Sequence, residues 1–203
     1  MNKHQNHIQD LAEIRSMMER SSKFMSLSGL SGALAGIYAL AGVFLAYTMY
    51  DFNPTEIISS KSIFEVSGVV VIALLVLVFS VSSAVYLSYR KATSKGENIW
   101  NATSRRLLLN VSIPLLAGAG LSLVLFLKGI DGLIPSVTLL FYGVALYSAG
   151  IFSYREIKVL GIIQVILGLL AAYFVSYALI LWALGFGIAH IIYGTYIHIR
   201  HER

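Results

Sequence analysis

The chain has 203 residues, 57% of them hydrophobic and 12% charged, with a formal net charge of +5 and no cysteine. Such a balance excludes an ordinary soluble domain, and the missing thiols exclude disulfides, thiolate metal sites and cysteine catalysis. The positive charges sit between apolar runs rather than on one soluble face, so they report topology, and nucleic acid is not an expected partner.

In chain order, residues 1–23 are polar and carry Ile8, Leu11, Ile14, Met17 and Met18 at steps of mostly three or four. That spacing predicts an amphipathic helix lying in the membrane interface or against the protein's own loops. Residues 24–197 then hold six apolar runs of about 20 residues or more, each long enough to cross about 30 Å of hydrocarbon. The fold class is therefore all-α, a polytopic membrane protein. The first helix, 25–50, carries Gly29, Gly32 and Gly36; 51–62 reads as an exposed turn around Asn53-Pro54; the second helix, 63–89, bears Ser82 and Ser83 towards its end. Residues 90–106 are expected to be the longest internal loop, with Trp100 as an interfacial anchor. The third helix, 107–127, holds Asn110 and Pro114, and the fourth, 133–152, holds Gly143, Ser148 and Gly150. A polar tail, 198–203, closes the chain.

The most informative stretch is Val159–Tyr196, which predicts two helices joined by a very short turn. Gly161, Gln164 and Gly168 stand in a G-x2-Q-x3-G spacing that Gly187, His190 and Gly194 repeat as G-x2-H-x3-G. Small residues at such steps let membrane helices approach closely, and the polar side chain between them can bond across the contact. This is a glycine-zipper pattern. Gly29/Gly36, Gly143/Gly150, Gly161/Gly168 and Gly187/Gly194 are all seven apart, which suggests three helical hairpins related by parallel repetition.

Orientation follows from the basic residues. Lys3, Arg15, Arg20, Lys23, Arg90, Lys91, Lys95, Arg105, Arg106, Arg155, Lys158, Arg200 and Arg203 fall on one side of six spans, leaving Lys61 and Lys128 on the other. Positive residues mark the cytoplasmic side, so both termini are expected there.

Intramembrane polar groups are the candidate site. Asn110, Gln164 and His190, with Ser82, Ser83 and Ser148, are expected one to two turns in from the cytoplasmic ends, where they would line a polar recess if they converge. His190 has two readings, a neutral imidazole tying helices together or a gate or pH sensor. No acid–base pair, phosphate loop or haem-ligand pair occurs, and His198 and His201 alone make no metal site, so neither cofactor nor metal is expected and an enzyme is disfavoured.

The hairpin over Val159–Tyr196, G-x6-G, short turn, G-x6-G, resembles the repeat of HdeD-type bacterial membrane proteins. The resemblance implies six helices in three hairpins in a bacterial inner membrane and an association with acid stress, and it brings no established reaction. The pattern departs from that family at Val175-Ser176, where no proline stands. The expected function is a non-enzymatic membrane protein associating with itself or a membrane partner within the lipid bilayer, in envelope or stress physiology. The alternative is a small channel or transporter for a neutral or weakly ionic solute, gated at His190.

Overall fold

The computed structural model describes residues 28–50, 63–94, 96 and 100–201, and the side chains of 63–67 fall outside that description. The amphipathic segment 1–23 and the turn 51–62 therefore lie beyond it. Among the described residues, six helices are long and apolar enough to cross a membrane, and no strand occurs. They are α1 (Gly29–Tyr50), α2 (Ile63–Ser94), α3 (Ala102–Leu127), α4 (Ile134–Ala149), α5 (Arg155–Tyr173) and α6 (Val175–His201). Helices dominate because a backbone in hydrocarbon must satisfy its own hydrogen bonds.

Several boundaries differ from the expectation: α4 ends at Ala149 rather than 152, and α5 begins at Arg155 rather than Val159. The loop expected over 90–106 shrinks, because α2 continues to Ser94 and α3 starts at Ala102. Arg90, Lys91, Arg105 and Arg106 are good helix formers, and Asn101 starts α3 with a reciprocal cap: its side chain accepts from Ser104 N at 2.8 Å while Asn101 N donates to Ser104 Oγ at 2.9 Å. The polar tail is likewise helical as far as His201. Tight connections hold where the sequence put them: a 3-10 turn over Asp131–Leu133 leads into Pro135 in the first turn of α4, and another over Val175–Tyr177 opens α6.

The helices pack in the order α2, α1, α6, α5, α4, α3, with α4 also reaching α6 across the interior. Consecutive α2 and α3 share almost no contact. The start of α1 meets the end of α6, and Ser28 N donates to Ser88 Oγ of α2 at 3.4 Å, so these three ends share one face of the bundle.

Glycines set the closest of these contacts, and their partners show that the stripes of Val159–Tyr196 do not pack on each other. A Cβ on Gly161 would fall 2.6 Å from Tyr147 N and 2.7 Å from Gly143 O, so α5 turns its glycines to α4. Gly168 continues that seam against Leu140, and Gly150 against Lys158. Gly194 and Gly187 instead face α1: a Cβ on Gly194 would lie 2.5 Å from Gly29 O, one on Gly36 2.6 Å from Gly187 O, and one on Gly32 3.4 Å from Gly194 Cα. The glycine stripes of α5 and α6 thus point away from each other. Seven residues return a helix to within about 20° of the same azimuth, whereas three residues stop roughly 60° short of a full turn. Glycines seven apart therefore share one face, and the polar residue between them looks along the adjacent one.

Candidate site: a shared carbonyl between three helices

On that adjacent face α5 and α6 meet through Gln164 and His190. Gln164 is fully buried and His190 is 4% exposed. His190 Nδ1 lies 2.9 Å from Gly185 O, and Gln164 Nε2 donates to the same oxygen at 2.8 Å. A carbonyl only accepts, so the geometry assigns the proton of the neutral imidazole to Nδ1. Nε2 is then an acceptor, and Tyr142 of α4 donates its hydroxyl to it at 3.0 Å. Gln164 Nε2 and His190 Nδ1 stand 3.3 Å apart, but both are donors in this arrangement. They are neighbours on one acceptor rather than partners of each other.

The backbone around Gly185 makes this arrangement possible. Residues Ala183–Ala189 form a π-helical turn, and His190 reaches the carbonyl five residues before it with its side chain. Single π turns within α-helices concentrate at functional positions. Gly185 also leaves room for the amide, since a Cβ there would fall 2.5 Å from Gln164 Oε1 and 2.6 Å from Leu139 Cδ2. Gln164 Oε1 itself is buried without a hydrogen-bond partner.

An aromatic column extends the site along α6. Trp182, Phe186 and His190 follow at steps of four, with ring centroids 4.6 Å and then 5.8 Å apart. Tyr142 packs on both Phe186 and His190, at 4.9 Å and 5.4 Å. One turn away, Trp182 Nε1 donates to Thr138 Oγ1 at 3.1 Å, and Thr138 donates on to Pro135 O at 2.8 Å. Tyr142 and Thr138 are themselves four apart on α4, so two helices mesh through matched i, i+4 rows. Below the column, buried Leu139, Ala171 and Ala178 form an apolar cluster.

Only part of the expected recess assembles. Gln164 and His190 come together, yet Gln164 sits midway along α5 rather than one to two turns from the end. Asn110 is exposed and donates to Arg106 O of its own helix at 2.8 Å. Ser82 is exposed, and Ser83 donates back to Ser80 O at 3.0 Å, the local bonding that serines make in helices. Ser148 is half-buried nearly two turns beyond Tyr142 on α4. Sequence reasoning missed Tyr142, Gly185, Trp182 and Phe186. The i, i+4, i+8 aromatic row ending in His190 was the available signal.

A second cluster occupies the bundle face where α6 ends. His201 Nε2 lies 3.3 Å from Glu156 Oε1, its ring stacks on Tyr154 at 4.6 Å, and Lys91 Nζ donates to Tyr154 OH at 3.4 Å. The side chains tie the ends of α2 and α6 to the start of α5 above a core of Ala149, Tyr154, Ile157 and Ile197. Among the described residues no group of three His, Asp or Glu side chains is placed to hold a metal ion. Chemically, the central site is a hydrogen-bond junction: two donors on one carbonyl, and an imidazole and a hydroxyl that satisfy each other. Comparison with protein-family models, with curated proteins and with solved structures found no match.

Proposed function

We propose that this is a non-enzymatic integral membrane protein of HdeD-like kind, built as three hairpins with both termini in the cytoplasm of a bacterial inner membrane. It acts through helix association, with a second copy or a membrane partner, in envelope or stress physiology. One observation supports this reading above the others: the interior polar groups are spent on joining α4, α5 and α6, with His190 and Gln164 both buried on the Gly185 carbonyl. A solute path would need polar groups left facing a channel. The glycine seams speak the same way, since they place backbones in contact where a pore would need separation.

A second reading draws on the unpaired Gln164 Oε1. A buried acceptor without a donor is a natural place for a water, and water at mid-span is a first step towards a gated path at His190. Proteoliposomes loaded with a self-quenching dye and challenged with glycerol, urea or ammonium separate the two. The expected result is swelling and pH traces equal to those of empty liposomes, at neutral and acidic pH alike. Flux that disappears in His190→Gln would replace the first reading with the second. Orientation has its own check: reporter tags at Met1 and Arg203 are expected to read cytoplasmic, and a periplasmic signal from either end would overturn the topology.

A further inference from the structure

The seam between α1 and α6 is tight over only half its length. From Gly29 to Gly36 the backbones touch across Gly194 and Gly187, and the Leu40 side chain lies against Gly187. Over its whole length α1 packs on His190–His201 and on the π turn but hardly on Ala178–Trp182, so the two helices part towards the start of α6. The sequence explains the divergence, because past Gly36 the α1 residues facing α6 are no longer glycine but Leu40, Val43, Phe44 and Tyr47, one stripe at steps of three and four. Leu179, Ile180 and Ala183 form the opposite wall, and the space between the walls is a cavity of about 350 Å³. One end of it is marked by Leu40, which meets Gly187. Its outer end opens beside Tyr47 and near Tyr177, which are 62% and 60% exposed.

We propose that this groove is a lipid-tail site that takes one acyl chain of a phospholipid, with the headgroup level with Tyr47 and Tyr177. Three features select that occupant. The walls are apolar apart from the tyrosine at the mouth, which matches an amphipathic molecule lying tail inward, and exposed tyrosines belong at headgroup depth. Leu40 to Tyr47 spans roughly 10 Å at 1.5 Å per residue, most of the half-thickness of the hydrocarbon layer. The volume, about 350 Å³, suits a flexible chain. A cavity of about 150 Å³ already holds benzene, and ligand sites begin near roughly 300 Å³. None of the residues lining the groove belongs to the Gly185 junction, so the site stands independently of the reading proposed above.

The test is native mass spectrometry of protein purified from phosphatidylcholine vesicles into a mild detergent. Wild type is expected to carry one bound phosphatidylcholine through extensive washing. Ala183→Phe fills the groove from α6 and Val43→Phe fills it from α1, and each is expected to abolish the adduct. Leu116→Phe, on the exposed face of α3, is expected to keep it. Melting temperatures identify a filled variant that fails to fold, and the other wall then decides. Wild type without a bound lipid, or both filled variants binding it as wild type does, would overturn the proposal. So would a photo-crosslinker at position 43 that captures a second copy of the chain instead of the lipid.

Discussion

Gly161→Ala is expected to destabilise the protein by about 1–3 kcal/mol, the usual range for forcing carbon into a filled core, although it adds a single methyl group and raises helix propensity. The new Cβ would sit 2.6 Å from Tyr147 N and 2.7 Å from Gly143 O. Both neighbours are backbone, so no rotamer change relieves the overlap, and α4 and α5 must move apart. That separation would spread to Gly168 and Gly143 on the same seam, whose own added carbons would meet Leu140 N at 2.9 Å and Gly161 O at 2.7 Å. Gly120→Ala supplies the contrast. It lies on the exposed side of α3 with nothing within 4 Å of its added carbon, so only propensity acts, and a gain of up to about 1 kcal/mol is expected. Equilibrium unfolding in mixed micelles measures both. Opposite outcomes tie the effect to the seam, whereas two neutral variants would mean that close backbone approach contributes nothing there.

The contrast shows what was legible beforehand. The number and approximate limits of the spans came from run length alone, because a bilayer demands about 20 apolar residues whatever their order. Glycines seven apart were also visible, and they do lie where helices touch. Their partners were not visible, since a spacing identifies a face without saying which helix covers it: Gly161 and Gly168 meet α4, and Gly187 and Gly194 meet α1. Gln164 and His190 stood together in the expected recess, and of its members these two converge. Tyr142 could not be placed there, because an aromatic residue in an apolar span reads equally as filler or as donor until α4 is placed. The acceptor was hidden more deeply still. Gly185 O becomes a junction only through the π turn, a register shift that neither hydropathy nor helical periodicity signals.

The helix ends show the same limit from another side. Arg90 to Arg106 reads as loop by charge, yet α2 holds 32 residues, about 48 Å at 1.5 Å per residue against about 30 Å of hydrocarbon. Its last turns therefore stand in the polar region. There Thr93 and Ser94 donate to Tyr89 O and Lys91 O at 3.0 Å and 2.8 Å, and Lys91 reaches the Tyr154 hydroxyl. Charge marked the edge of the helix wrongly, because nothing in a lysine or arginine stops a helix.

The sign of one coupling energy tests the junction itself. In a Tyr142→Phe background, which removes the third partner from all four species, Gln164→Leu is expected to be nearly neutral. It deletes a donor to Gly185 O but also deletes the unpaired Oε1, and His190 Nδ1–H still occupies the carbonyl. His190→Leu is expected to cost about 0.6 kcal/mol, the average worth of a hydrogen bond between membrane helices, since Gln164 Nε2 remains on the same oxygen at 2.8 Å. The double variant differs in kind. It strips both side-chain donors from one buried carbonyl, leaving that oxygen only what its own helix supplies, and a buried acceptor short of partners costs up to about 1–3 kcal/mol. Its destabilisation should therefore exceed the sum of the single effects by about 1 kcal/mol or more, in a cycle where each species is unfolded reversibly under the same conditions. If the two side chains instead bonded each other across their 3.3 Å separation, removing either one would already lose the whole interaction. The double variant would then cost less than the sum, and the assignment of the proton to Nδ1 would be wrong.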